Sequence, residues 1–198
     1  VQEDTLFVHQ YISTKGTNGD ISVQMETNYP VDGTVQVTAS GVRRLALRHP
    51  AWCTALSADQ PYTEQNGYLY FETTSVTVRF DITPRYIVAD HRVADCTDCV
   101  ALMRGPIVYA LEQQDQPTAL TSLRICPEVI PRENGERYGG LPVLFGEGVK
   151  LPSSDALYQP YVAASGAKIR LRFVPYYTFA NRGADCMRVW NPLYKGKD

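Results

Sequence analysis

The sequence predicts an all-β protein built from two antiparallel, jelly-roll-like β-sandwich domains, spanning about residues 1–90 and 91–198. Three observations carry this. Apolar and polar residues alternate with period two along most of the chain, which buries one face of each strand and wets the other. No window shows a capped helical stripe. Turn signals recur at short intervals: Asn18-Gly19, Asp32-Gly33, Asn66-Gly67, Asn134-Gly135 and Gly139-Gly140. Short strands with frequent turns are the pattern of sandwiches rather than of α/β units.

The elements follow in order. Residues 6–12 read as an opening strand, and Val35-Gln-Val37 and Leu45-Ala-Leu47 as two more. Val76-Thr-Val-Arg-Phe-Asp-Ile82 alternates without a fault and gives way to Pro84. The polar stretch Ala89–Cys99 then marks a domain boundary. A new apolar run begins at Val100 and includes the strand Ile107-Val-Tyr-Ala-Leu111. Residues 131–157 are rich in Gly, Pro and polar side chains, and are expected to form a long excursion between strands. Ile169-Arg-Leu-Arg-Phe173 returns to strict alternation.

Composition narrows the function classes. With 44% hydrophobic and 20% charged residues, the chain buries a core and is not disordered. A formal net charge of −2, with both signs dispersed, argues against nucleic acid or an anionic membrane as partner. No apolar run approaches the roughly 20 residues that span a bilayer. The polar start Val1-Gln-Glu-Asp4 reads as a fragment edge rather than a signal peptide. Cysteines Cys53, Cys96, Cys99, Cys126 and Cys186 are odd in number and scattered, so a reducing, cytoplasmic location is expected.

Candidate chemistry is sparse. Cys96-Thr-Asp-Cys99 has the spacing of half a zinc site or a redox pair. A structural zinc needs two further ligands, yet Cys53, Cys126 and Cys186 stand alone and His9, His49 and His91 form no pair. Two loop thiols are the favoured reading, with His91 near enough in sequence for an incidental metal contact. Glycoside hydrolysis needs two facing carboxyls. Asp95, Asp98, Glu133 and Glu136 instead read as solvated surface. Nucleophile elbows and phosphate loops are missing. No catalytic, cofactor-binding or metal residue is therefore assigned. Arg104-Gly105-Pro106 reads as a turn before a strand, its arginine free to pair with a carboxylate or a carbonyl. Tyr176, Tyr177 and Trp190 could form a sugar platform, but alternating aromatics more often fill a core or an interdomain contact.

Five segments together resemble glycoside hydrolase family 127, the β-L-arabinofuranosidase-like proteins. Val100-Ala-Leu-Met-Arg-Gly-Pro-Ile-Val-Tyr-Ala-Leu-Glu112 resembles that family's "valmRGPlvYalE". Leu45-Ala-Leu-Arg-His-Pro-Ala-Trp-Cys53 resembles "lalRiPaWc", and Asn28-Tyr-Pro-Val-Asp-Gly-Thr-Val35 resembles "nYPwdgkV". Residues 6–12 resemble "lyvnlYi", and 173–190 resemble "fiPYyawaNRGegeMrVW". The matches run in family order over nearly the whole chain.

The resemblance implies the two β-sandwiches that follow an α/α six-hairpin catalytic barrel. It implies that nucleophile, acid/base and zinc all belong to that barrel and that Cys53 is structural. The barrel is then the expected partner. Homodimer contacts and a sticky apolar surface are further expectations, and a stand-alone carbohydrate-binding module is the alternative function. Residues 55–61 and 71–76 depart from the family's turn and hairpin at those places, so the first sandwich is expected to have shortened hairpins.

Overall fold

The computed structural model describes residues 1–158, 160 and 165–196. The chain divides into two compact units, Val1–Thr83 and Pro84–Asp198. Both are all-β, and four single 3-10 turns supply the helical geometry among the described residues.

The first unit contains β1 (Thr5–Val8), β2 (Thr14–Asn18), β3 (Ile21–Thr27), β4 (Thr34–Ser40), β5 (Arg44–Arg48), β6 (Leu56–Ala58), β7 (Thr63–Gln65), β8 (Tyr68–Phe71) and β9 (Ser75–Phe80). They form two sheets, ordered β1-β5-β8-β7 and β2-β3-β4-β9-β6. Alternation aims Leu45, Leu47, Leu69 and Phe71 of one sheet into the same core as Val35, Val37, Val76, Val78 and Phe80 of the other. Full burial of each such side chain contributes about 1.5–3 kcal/mol. One pairing is not antiparallel: β1 runs parallel to β5. The intervening chain passes through the other sheet, and this supplies the long crossover that a parallel pair requires. The expected strand over residues 6–12 ends at Val8.

Asn66-Gly67 behaves as predicted. It is the two-residue loop between Gln65 and Tyr68, and both residues have positive φ (51° and 75°). That backbone matches the twist of the flanking strands. Gly139-Gly140 does the same between Tyr138 and Leu141. Gly105-Pro106 joins Arg104 to Ile107, with φ +54° at the glycine.

The second unit contains β10 (Pro84–Val88), β11 (Cys99–Arg104), β12 (Ile107–Glu112), β13 (Leu123–Ile125), β14 (Arg132–Tyr138), β15 (Leu141–Lys150), β16 (Ala167–Pro175), β17 (Met187–Arg188) and β18 (Asn191–Pro192). Their path is β10-β11-β12-β16-β15-β13, with β14 on β15, β17 on β12 and β18 on β11. This single sheet surrounds a core that includes Leu102, Tyr109, Leu111, Ile125, Leu144, Leu171 and Phe173. β11 and β12 pair with each other only from Leu102↔Tyr109 to Arg104↔Ile107. Beyond that point Leu111–Glu112 pairs with β17, and Cys99–Val100 pairs with β18. Leu193 then bridges Ile125 of β13, so the closing segment connects two distant strands of the sheet.

The division falls at Thr83–Pro84, ahead of the 90/91 boundary read from polarity. The reason is that β10 is hydrogen-bonded along its length to β11, from Pro84↔Arg104 to Val88↔Val100. The polar stretch after it is the connection inside that hairpin.

Residues 131–157 are not a simple excursion. They include β14 and the ten-residue β15, whose Leu141, Val143, Leu144 and Val149 are buried. Two glycines inside β15 are sites of close approach. A Cβ on Gly146 would lie 2.9 Å from Pro131 Cγ, and one on Gly148 would lie 2.6 Å from the Arg124 carbonyl oxygen. Glycine inside a strand often marks such an approach. Gly135, with φ +92°, lies at a register shift of β14 rather than in a hairpin turn.

Candidate functional site

In the first unit, segments from across the sequence converge on one aromatic cluster. Tyr11 meets Tyr29 edge-on at 5.6 Å and Phe80 at 5.1 Å between centroids. Trp52 stacks on Tyr29 at 6.4 Å and meets Phe80 at 6.5 Å. The Tyr11 hydroxyl donates to the Arg48 carbonyl oxygen. Burial, with the neighbouring Tyr29 adding to it, pushes the Tyr11 phenol far above its ordinary range. Cys53 is buried in the same core, and its thiol donates to the Ala55 carbonyl at 3.1 Å. His49 braces this turn, with Nε2 3.1 Å from the Cys53 carbonyl and Nδ1 2.7 Å from Glu64. These are packing roles.

In the second unit the most concentrated chemistry is ionic. Glu112 is the one buried carboxylate among the described residues. Arg182 donates to its Oε2. The same guanidinium forks onto Asp115, with Nη1 2.8 Å from Oδ1 and Nη2 2.5 Å from Oδ2. It also lies 4.8 Å above the Tyr138 ring. Arg172 reaches Asp115 at 2.5 Å and pairs with Glu136. Burial alone would raise the Asp115 pKa. The Arg182 hydrogen bonds and the two arginine charges outweigh it and hold this carboxyl below its usual range. The hydrogen bond to Asp115 likewise raises Arg182, against its own desolvation. Asp115 is thereby held ionised, which suits an ionic clasp and not a proton donor near neutral pH.

Sequence reasoning missed this network, although Glu112 and Arg182 both lie in segments that carry the family resemblance. It did anticipate a partner for Arg104: the buried guanidinium bonds Glu133 at 2.8 Å. Glu133 and Glu136 are thus ion-paired rather than purely solvated. Asp98 pairs with Lys195 at 2.6 Å, and Asp95 lies in the turn Ala94–Cys96.

Cys96 ends that turn and Cys99 opens β11. Burial and the adjacent Cys96 push the Cys99 thiol up, away from the thiolate that metal binding or redox chemistry needs. His91 is exposed and turns to Asp90 at 3.4 Å. Among the described residues no group of three or more His, Cys, Asp or Glu is arranged to hold a metal ion, so the residues present do not fit a zinc centre.

Tyr176 and Tyr177 do not fill the core of this unit, being 47% and 55% exposed, which leaves the interdomain contact and the sugar platform as their alternatives. They lie in the 3-10 turn Tyr176–Thr178 that follows β16, where the chain leaves the sheet. The Tyr177 hydroxyl donates to the Gly139 carbonyl at 2.6 Å, holding the β14–β15 turn. Trp190 is half-buried between β17 and β18.

The strand order and the two compact units define an all-β region of sandwich-like architecture. The profile of the glycoside hydrolase family 127 C-terminal domain matches residues 84–192, and the chain belongs to that family. It is similar to a non-reducing end β-L-arabinofuranosidase of Bifidobacterium longum subsp. longum. The two are 28% identical over 94% of this chain and 32% of that protein. A family 127 β-L-arabinofuranosidase from Geobacillus stearothermophilus T6 superimposes with a TM-score of 0.82 at 30% identity, over 98% of this chain and 34% of that one. A further family 127 β-arabinofuranosidase structure shares the fold at 24% identity, with a TM-score of 0.78 over 98% of this chain and 35% of that one. The chain thus spans about a third of the length of these relatives.

Proposed function

We propose that this chain is the non-catalytic C-terminal region of a longer glycoside hydrolase that cleaves β-L-arabinofuranosides. In this reading it packs on an α/α catalytic barrel and supports it. The observation that carries the reading is coverage: nearly all of this chain aligns, but only to about a third of each relative. The ionic clasp is consistent with it, because the buried carboxylate is committed to Arg182 rather than to a substrate. Nucleophile, acid/base and any zinc would then reside in the barrel. Five free cysteines support a reducing, cytoplasmic setting.

The test is an assay of the purified chain with an aryl β-L-arabinofuranoside, beside the longer protein that carries the barrel. Turnover by the longer protein and none by the chain is the expected result. Cleavage that follows the chain through repeated purification would overturn the assignment.

A further inference from the structure

The first unit carries a groove that its packing does not explain. It lies at the β7–β8 edge and encloses about 230 Å³. Tyr62, 42% exposed, comes from the β6–β7 loop. Thr63 and Tyr70 are directly paired across β7 and β8, so their side chains stand on one face of the sheet. Gln60, Glu72 and Thr73 complete the polar part of the lining. Tyr62 packs against the buried Phe71 ring at 5.6 Å between centroids, which anchors it from below. Glu72 stands 3.7 Å from Arg44 and is 80% exposed, so its carboxylate stays open to further partners.

This combination is chemically specific. A sugar ring has an apolar C–H face, which packs on an aromatic ring. Its rim of hydroxyls needs acceptors and donors together, and the Glu72 carboxylate, the Gln60 amide and the Thr63 hydroxyl supply them. Hydroxyl hydrogen bonds to a carboxylate are of the stronger, charge-assisted kind. A volume of 230 Å³ is small for an extended ligand and suits one sugar unit. The lining carries no cluster of cations, which disfavours phosphate or nucleic acid.

We propose that this groove is a carbohydrate subsite, with Tyr62 and Tyr70 as the stacking surface and Glu72, Gln60 and Thr63 addressing the hydroxyls. Only the choice of sugar rests on the proposed function: a glycan bearing terminal L-arabinofuranose. The groove would hold a neighbouring unit of that glycan and raise its local concentration.

Saturation-transfer NMR of the 198-residue chain tests this, with millimolar methyl β-L-arabinofuranoside, and with methyl β-D-xylopyranoside as a second probe. Transfer from the chain to the arabinoside is expected, weakened about fivefold in Tyr70→Ala and Tyr62→Ala. Glu72→Gln is the control that cannot unfold the sandwich, and it should weaken transfer as well. Binding of the xyloside alone, lost in the same variants, would uphold the subsite and count against the arabinofuranoside part of the proposed function. No transfer to either sugar, or transfer unchanged in all three variants, would overturn the subsite while leaving the C-terminal assignment intact.

Discussion

The Arg182 guanidinium donates to Glu112, seventy positions earlier in the chain, and so ties the stretch after β16 to the end of β12. Removing the cation leaves Glu112 buried and uncompensated. Arg182→Met should cost the second unit about 3 kcal/mol, the low end for a broken buried pair because Arg182 is 29% exposed. Urea unfolding measures this. The double variant Arg182→Met, Glu112→Gln should lose less than the two single losses added together. Strict additivity would mean the pair is not energetically coupled.

Asp115 gives the second unit a pH dependence of known sign. Its folded pKa is depressed, because the arginines outweigh burial. The folded state therefore releases this proton more readily than the unfolded chain. The stabilisation is fully present above the unfolded value of about 4, and is lost as pH falls through the lower folded value. Urea midpoints at successively lower pH in this acid range should fall for the parent chain and fall less for Asp115→Asn. Parallel decline in both would remove Asp115 from the account.

Gly33 sits where no side chain fits. A Cβ there would lie 1.9 Å from the Phe80 carbonyl oxygen, while the Gly33 carbonyl accepts from Phe80 N at 2.9 Å. Gly33→Ala must push β9 away from the Asp32 turn, at a cost of about 3 kcal/mol. A thermal midpoint within a degree or so of the parent would show that this close approach is absent.

Tyr109 is fully buried and donates to the Pro142 carbonyl at 2.8 Å. Tyr109→Phe keeps the ring and strips the donor. The loss should be about 1–2 kcal/mol, because a buried carbonyl is left without its partner. Hydrogen exchange should rise in β15, which Pro142 helps to start. Unchanged stability would point to water replacing the hydroxyl.

Much of the fold was legible because its signals are local. Val76, Val78 and Phe80 alternate inward as period two requires, and Asn66-Gly67 makes the turn its chemistry favours. The aromatic cluster was half visible: Tyr11, Tyr29 and Trp52 were all in quoted segments, but only the fold brings them together. What failed was whatever depends on a distant neighbour. Gly146 and Gly148 look like loop residues until Pro131, Arg124 and Leu171 are found pressed against them. The clasp of Glu112 with Arg182 was invisible for the same reason: a charge does not announce its partner across seventy residues. The exposure of Tyr176 and Tyr177 was not legible, because aromatic content shows how many rings there are, not whether the chain at that point has left the sheet.

The strands β17 and β18 and the bridge at Leu193 have a consequence for biogenesis. All nine strands of the first unit precede Pro84, so that unit can complete its core while synthesis continues. The second unit cannot. Cys99–Val100 and Leu111–Glu112 wait for Met187–Pro192, and Ile125 waits for Leu193. A nascent chain that stalls before residue 187 would present the unsatisfied rims of β11, β12 and β13 to whatever it meets, an opening for edge-to-edge association that the finished unit closes.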